Sequence, residues 1–405
     1  MLDISKYIDG FKMKLELNSE EKEINITRRS VFNAIDDISF RMLPLYQLPY
    51  IPYTISPCIS SYDIKDYLEH PRMAFEEYKK MGAKKIIGEL KHMGSNAVIM
   101  VFRNENCGLK YIKEATKVHI YSRRGKKFFL NEDDDRYISD KIWNIFNEIN
   151  YFDRYDTDYV IMGTEILPWN LKATGLIDKE YLPALDASSY LYDKILESTE
   201  MNNIDKRELF EKRRENIDLY KQQLESYCWN SDITDLKIAP FILLGHQGKT
   251  FFDKTNKWHL EHFKELFEYN NLFVETPYVE IDLYDEDSMQ KGVDFWLEVT
   301  EKGYEGLMFK SDKVIDFNEN NELIIPMLKV RGKEYLRIIY GINYEENMRY
   351  LKNRKVGKKR FLHISQFLLS VKALEAFTKG EDFENWHDYV FTSICLNNEQ
   401  TDHRL

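Results

Sequence analysis

A lysine that acts as a nucleophile needs a rigid mount and charge around it. Lys91-His92-Met93-Gly94-Ser95-Asn96-Ala97 lies between two apolar runs and reads as a tight turn. The Lys91 amine would project from a rigid edge there, and Gly94 would let a ligand approach the backbone. K-x-x-G alone is weak evidence, because it recurs at Lys85, Lys172 and Lys329. An isolated example is most often an exposed lysine before a turn.

The signal lies in the segments C-terminal to Lys91 and in their order along the chain. Tyr121-Ser122-Arg123-Arg124-Gly125 is a basic turn after an apolar run. Met162-Gly163-Thr164-Glu165-Ile166 puts a carboxylate inside an apolar strand, where a lone charge is costly without a partner. Glu305-Gly306-Leu307-Met308-Phe309-Lys310 brackets another strand with an acid and a base. In Leu328-Lys329-Val330-Arg331-Gly332 the two cations are two apart, so in a strand they share a face and point into the same space. Two cations aimed together usually hold an anion. Each piece has a plain reading: a solvated hairpin, a salt-bridged acid, an edge strand kept soluble by charge. Their joint occurrence in this order is a far stricter requirement. A nucleophilic lysine must also lose its proton more easily than in water, where it titrates near about 10.4. Lys310, Lys329, Arg331 and a bound metal are the expected sources of that effect.

The series K-x-x-G, S-R-x-G, G-x-E, E-G-x-x-x-K and K-x-R resembles motifs I, Ia, III, IV and V of the covalent nucleotidyltransferases, the family of ATP-dependent DNA and RNA ligases and mRNA capping enzymes. It is closer still to the ligase module of the bacterial RNA-repair polynucleotide kinase-phosphatase. The stretches that carry the closer likeness are YIPYTISPC (50–58), YLEHP (67–71), ELKHMGSNAV (89–98), YSRRGKKFF (121–129), TEILPWNLKA (164–173), APFILLG (239–245) and LKVRGKEYLRIIYG (328–341). This sequence departs from the pattern at Asn96, where Arg is often found, and at Leu90, where an acid is often found.

The resemblance implies that Lys91 takes AMP from ATP as lysyl-AMP, then passes it to an RNA 5′-phosphate that a 3′-OH seals. It implies that Lys329 and Arg331 hold the α-phosphate and that Glu305 contacts Mg²⁺ or Mn²⁺. Arg123 and Glu165 would contact the ribose or neighbouring phosphates, and Phe241 would stack on adenine. Leu90, Ser95, Asn96 and Lys310 complete the expected nucleotide surround. The implied partners are RNA ends, a polynucleotide kinase-phosphatase and an RNA 3′-terminal 2′-O-methyltransferase. A non-catalytic scaffold and a capping-type guanylyltransferase are the alternatives.

These residues must be placed by the elements around them. Apolar runs of four to eight residues, at Lys85–Leu90, Ala97–Phe102, Lys117–Tyr121, Tyr159–Ile166, Leu236–Leu244, Gly303–Phe309, Leu323–Val330 and Tyr335–Tyr340, read as strands. Asp140–Asn150 and Glu286–Thr300 read as helices. Strand and helix do not alternate strictly, so the expected class is α+β with mainly antiparallel sheets. Under the resemblance this is a nucleotidyltransferase (ATP-grasp-like ligase) core formed by 1–175 and 233–341. A helical insert at 176–232 and a C-terminal helical module at 342–405, rather than an OB domain, complete it. Phe361, Ile364, Phe367, Leu368, Val371 and Leu374 read as one stripe of that module. Gly248-Lys249-Thr250 imitates a phosphate-binding loop, but Leu243 stands where that loop needs its first glycine.

With 405 residues, 43% hydrophobic, the chain is long enough for a sizeable core. Its net charge of −11 argues against a nucleic-acid coat held by bulk charge, leaving local basic stretches at Arg123–Lys127 and Lys352–Arg360. Cys58, Cys107, Cys228 and Cys395 have neither metal-knuckle nor disulfide spacing. The N-terminal residues lack a signal peptide's basic flank and apolar core, and no run is long enough to span a membrane. The expectation is a soluble cytoplasmic protein with reduced thiols.

Overall fold

The computed structural model describes residues 4–17, 20–61, 63–169, 175–198, 204–227, 232–269 and 271–405. Three antiparallel sheets organise it, and none closes into a barrel among the described residues. The hairpin of β1 (Phe11–Leu17) and β2 (Glu20–Ile26) is the smallest. Its alternation turns Leu15, Ile24 and Ile26 inward, where Phe11 stacks on Phe391 with 6.1 Å between ring centroids.

The first large sheet runs in the order β11 (Met327–Arg331), β10 (Gly306–Ser311), β3 (Lys85–Leu90), β9 (Tyr278–Asp282). Helices Pro71–Lys80 and Glu286–Glu301 cover one face, burying Phe75, Tyr78 and Trp296 against Leu307, Phe309 and Val330. The second runs β5 (Val118–Ser122), β4 (Ser95–Phe102), β6 (Tyr159–Leu167), β7 (Lys237–His246), β8 (Lys249–Thr250). It is buried on both faces, so β4 is a nearly unbroken apolar run. Ala97, Ile99 and Val101 meet helix Glu132–Glu148, whereas Val98, Met100 and Phe102 meet the C-terminal helices Gly357–Thr378 and Phe383–Asn397. Helix Gly357–Thr378 is therefore apolar nearly all round rather than along one stripe, and within that stripe Phe361 is 48% exposed.

One expected strand is a helix. Tyr335–Tyr340 lies in helix Lys333–Tyr340, which starts after Gly332 and ends at Gly341 with φ at +99°. A six-residue apolar run does not distinguish a strand from a short helix by pattern alone. Here Arg337 bonds Glu334 one turn earlier at 2.6 Å, and Tyr335 and Leu336 are buried.

Gly248-Lys249-Thr250 forms the β7–β8 turn, with Gly248 at φ +83° and its amide on the Thr378 carbonyl. Helices Leu182–Glu197 and Ile204–Tyr227 pack on each other through Leu185, Ile217 and Leu224 and reach Ile338. Cys58, Cys107 and Cys395 are buried free thiols; Cys228 lies outside the described residues, as do 170–173 of the TEILPWNLKA stretch. No helix among the described residues is long and apolar enough to cross a membrane.

Candidate active site

Lys91 stands where the chain leaves one large sheet for the other. β3 ends at Leu90, the Lys91 amide donates to the Gly306 carbonyl at 2.9 Å, and β4 begins at Ser95 in the second sheet. The link is short because the sheets approach closely here. A Cβ on Gly94 would lie 2.5 Å from the Ile166 carbonyl and 2.9 Å from Glu165 Cγ. Gly94 is thus required by the passage of β6.

The two sheets flank a cleft of about 330 Å³ with Lys91 in its wall. From the first sheet come Leu90, Glu89, Lys310 and Lys329; from the second come Asn96, Glu165, Phe241 and Gly163, joined by Arg123 from the turn after β5. Asn96 and Glu165 face each other across β4 and β6. Lys329 is fixed on both sides of its backbone, its amide on the Ser56 carbonyl at 3.1 Å and its carbonyl on the Cys58 amide at 3.1 Å. The Phe241 ring carries the Lys310 ammonium 5.1 Å from its centroid. Glycine at 163 is needed beside it, since a Cβ there would sit 2.6 Å from Ile242 Cγ2.

Ion pairing divides the cations of this region in two. Lys91, 23% exposed at its side chain, pairs with the Glu305 carboxylate, which is 2% exposed. Lys310 pairs with the buried Glu89 at 2.5 Å. Arg331, expected to share the cleft with Lys329, is held by Glu69 instead: Oε1 accepts from Nη2 at 2.5 Å, and Oε2 from Nε at 3.1 Å and from the Arg331 amide at 2.8 Å. Arg354 completes that cluster at 2.8 Å from Glu69 Oε1. Arg331 does not line the cleft, nor does Ser95 at the start of β4. Arg123, Lys329 and Lys359 line it with no ion-pair partner among the described residues; Arg123 reaches only the Thr54 hydroxyl, at 3.4 Å.

The same division sets the proton equilibria. Burial alone would lower the Lys91 amine, but Glu305, Tyr335 and Glu165 outweigh it and hold it above the ordinary lysine value. Lys310 and Arg331 are each paired with a carboxylate of their own. Lys329, by contrast, is pushed well below the ordinary value by burial and by repulsion from Arg331 and Lys359. Burial and Glu305 push Glu165 up to about 7 against the pull of Lys91. His92, bonded to Thr276 at 2.9 Å, falls to about 4 through burial and Lys91.

Sequence reading gave no role to Glu89 or Glu69, and took Arg354 and Lys359 only as members of a basic stretch. Glu89 had a readable signal, two residues before Lys91 and hence on the same strand face. Lys359 had none beyond a run of charge whose other members are largely tied down.

An amine in contact with a carboxylate, in a cleft lined by unpaired cations and an aromatic ring, can take up an anionic electrophile carrying a planar base. With two antiparallel sheets meeting at that amine, this is a nucleotidyltransferase-type ligase fold. The model of the PNKP adenylyltransferase domain, ligase domain, matches residues 33–400, and the chain belongs to that family. Among solved structures it is similar to a chain of the Pnkp1/Rnl/Hen1 complex, with a TM-score of 0.67 and 16% identity over 93% of this chain and 98% of that one. A chain of the Pnkp1/Rnl/Hen1 RNA repair complex superposes with a TM-score of 0.59 and 16% identity, covering 93% of this chain and 99% of that one. No curated protein matches.

Proposed function

We propose that this chain is an ATP-dependent RNA ligase. The Lys91 ammonium gives up one proton to become the attacking amine, an N–P bond to the α-phosphorus of ATP forms as the bond to pyrophosphate breaks, and the second proton leaves the nitrogen to water, with Glu305 in contact with the amine holding it in place. AMP then passes to an RNA 5′-phosphate, and a 3′-OH displaces it to seal the strand. The observation that carries the reading is Lys91 paired with Glu305 at the meeting of two sheets, in one cleft with Arg123, Lys329 and Lys359, which lack carboxylate partners among the described residues. Phe241, half-buried in the cleft wall, is the aromatic ring placed to stack on adenine.

A divalent cation fits the Lys91 corner. Glu165 and Glu305 are the carboxylates acting on the amine, and Glu305 is the one that would contact the ion, directly or through water. Mg²⁺ and Mn²⁺ suit that arrangement, since one or two carboxylates, water and substrate phosphates satisfy them. Bound there, the ion would neutralise phosphate charge and favour the uncharged amine.

RNA as substrate, and assembly with a kinase-phosphatase and a 2′-O-methyltransferase, are supported by the family and by the likeness to chains of the Pnkp1/Rnl/Hen1 complexes. Incubation with α-labelled ATP and Mg²⁺ should give a protein–AMP adduct, stable to alkali and labile to acid as an N–P bond requires, that is absent from Lys91→Ala. Label entering from GTP alone would make the chain a guanylyltransferase, and no adduct with or without partners would leave a scaffold.

A further inference from the structure

The helix pair Leu182–Glu197 and Ile204–Tyr227 contributes no side chain to the cleft, yet one face of it reaches the nucleophile from two directions. Along the second helix Arg213, Asn216, Ile217, Tyr220, Gln223 and Leu224 recur at three- and four-residue spacing and so share a face. Arg213 donates to both carboxylate oxygens of Glu346 at 2.8 Å, and the Asn216 amide donates to Asn343 Oδ1 at 3.0 Å. Ile217 and Leu224 pack in one cluster with Ile338 and Ile342. Ile338 also packs with Met93 and Tyr335. Met93 belongs to the link that carries Lys91, and Tyr335 acts electrostatically on the Lys91 amine. Apolar contact therefore runs from the helix pair to the mount of the nucleophile.

The second direction runs through Gln223. Its side chain is buried, with the residue 4% exposed, and a buried amide is costly unless it is bonded. Gln223 Nε2 donates to the Gly303 carbonyl at 2.7 Å. Gly303 stands two residues before Glu305, the partner of Lys91. Gly303 has φ at +86° and Gly306 at +132°, so the span Tyr304–Glu305 is bracketed by glycines in conformations that other residues rarely adopt. After Glu305 the sheet holds the chain: the Glu305 carbonyl accepts from the Gly332 amide at 2.8 Å, and the Gly306 carbonyl from the Lys91 amide at 2.9 Å. Before it the chain has just left helix Glu286–Glu301, and Gln223 holds it from outside that helix.

We infer that Gln223 is a positioning residue: its grip on the Gly303 carbonyl sets where the Glu305 carboxylate stands against the Lys91 amine. Through this one bond the helix pair controls how firmly the nucleophile is held before a nucleotide arrives. The consequence for adduct formation rests on the adenylyltransferase reading above; the consequence for the resting amine does not.

The test therefore begins without nucleotide. Wild type, Gln223→Met and Glu305→Gln are treated with a small amine-directed acylating ester, and acetylation of Lys91 is followed by peptide mass spectrometry. Gln223→Met keeps the length of the side chain and removes the donor. It should acetylate Lys91 about three- to tenfold faster than wild type, since a slackened carboxylate contact retains the proton less well and one pKa unit is tenfold in free amine. Gln223→Leu, equally donorless but differently shaped, should behave alike if the first variant folds poorly. In a Glu305→Gln background Gln223→Met should add less than about twofold, because it acts through that carboxylate. Leu185→Ala, which loosens the packing between the two helices but leaves the Gly303 contact, should stay within about twofold of wild type. With ATP and Mg²⁺, Gln223→Met should lower the maximal rate of adduct formation about tenfold or more, the cost of a misplaced reacting pair, with half-maximal ATP within about twofold of wild type. Unchanged acetylation in both Gln223 variants would overturn the assignment. So would an equal rise in Leu185→Ala, a further rise in the Glu305→Gln background, or a change confined to the ATP requirement. The predicted acetylation pattern in a protein that forms no adduct even as wild type would keep Gln223 in its role and sink the adenylyltransferase reading instead.

Discussion

Replacing Glu69 by Gln tests whether Arg331 is a structural residue or a site residue. Glu69 is fully buried at its side chain, as is Arg354, and Arg331 is 4% exposed there. Gln keeps the shape but leaves two buried guanidiniums facing a neutral amide. Removing one member of such a buried cluster costs about 3–5 kcal/mol, because the remaining charge loses its compensation. The proton equilibrium gives an independent figure. Burial would raise the Glu69 carboxyl, but Arg331 and Arg354 hold it down to about 2 from an ordinary 4.5. That gap corresponds to roughly 3 kcal/mol of preference for the charged form in the folded protein. Because the folded value is depressed, the contribution is complete above pH ~4.5 and disappears as pH falls toward ~2. Urea unfolding at pH 7 of wild type and Glu69→Gln measures it, with Trp296 a nearby reporter: its ring lies 5.5 Å from that of Tyr67 and its Nε1 donates to the Val330 carbonyl. The expected loss is about 3 kcal/mol or more at pH 7, shrinking as pH drops toward ~3. A loss below about 1 kcal/mol, independent of pH, would refute the structural role and return Arg331 to the phosphate ligands.

Three further outcomes are expected. Lys91→Ala should abolish the AMP adduct and also lower stability by about 1–3 kcal/mol, because buried Glu305 loses its partner; Lys91→Ala/Glu305→Gln should recover part of that loss in the same unfolding assay. Glu165→Gln should gain stability relative to wild type as pH rises from ~4.5 through ~7: the wild-type carboxyl, raised to about 7 in the folded state, stays protonated there while the unfolded one ionises, so wild type weakens across that window. Gly94→Ala should cost about 1–3 kcal/mol and reduce adduct formation, since its methyl would press on the Ile166 carbonyl and shift the link carrying Lys91; unchanged melting and labelling would contradict the close approach.

The strands that carry Lys91, Glu165, Lys310 and Lys329 were legible because their apolar residues are local signals bounded by turns. Helix Lys333–Tyr340 was misread for the converse reason: its run is too short to display a period, and its caps, Gly332 and Gly341, fit a strand's flanks equally well. Charge partners were least legible. Glu69 lies 262 positions from Arg331 and 285 from Arg354, so nothing local marks the three as one cluster. The i, i+2 rule placed Lys329 and Arg331 on one face, but it does not say which of two anions, a buried glutamate or a bound phosphate, each would meet. Arg331 met the first.

The split between paired and unpaired cations also governs how the cleft works. Pairs such as Lys91–Glu305, Lys310–Glu89 and Arg331–Glu69 are complete without ligand, so they set geometry and need no substrate to order them. Arg123, Lys329 and Lys359 have no ion-pair partner among the described residues, so under the proposed function they would supply the attraction for an anion in a chain whose net charge is −11. The Lys91 amine, held protonated by Glu305, is a poor nucleophile toward stray electrophiles in the resting protein. Under the function proposed above, a divalent ion brought in with a triphosphate would give Glu305 another cation to balance and so favour the uncharged amine. Because Lys91, Lys310 and Lys329 stand on one sheet or its edge and Asn96, Glu165 and Phe241 on the other, the four-residue link Lys91–Gly94 fixes both the nucleophile and the width of the cleft it works in.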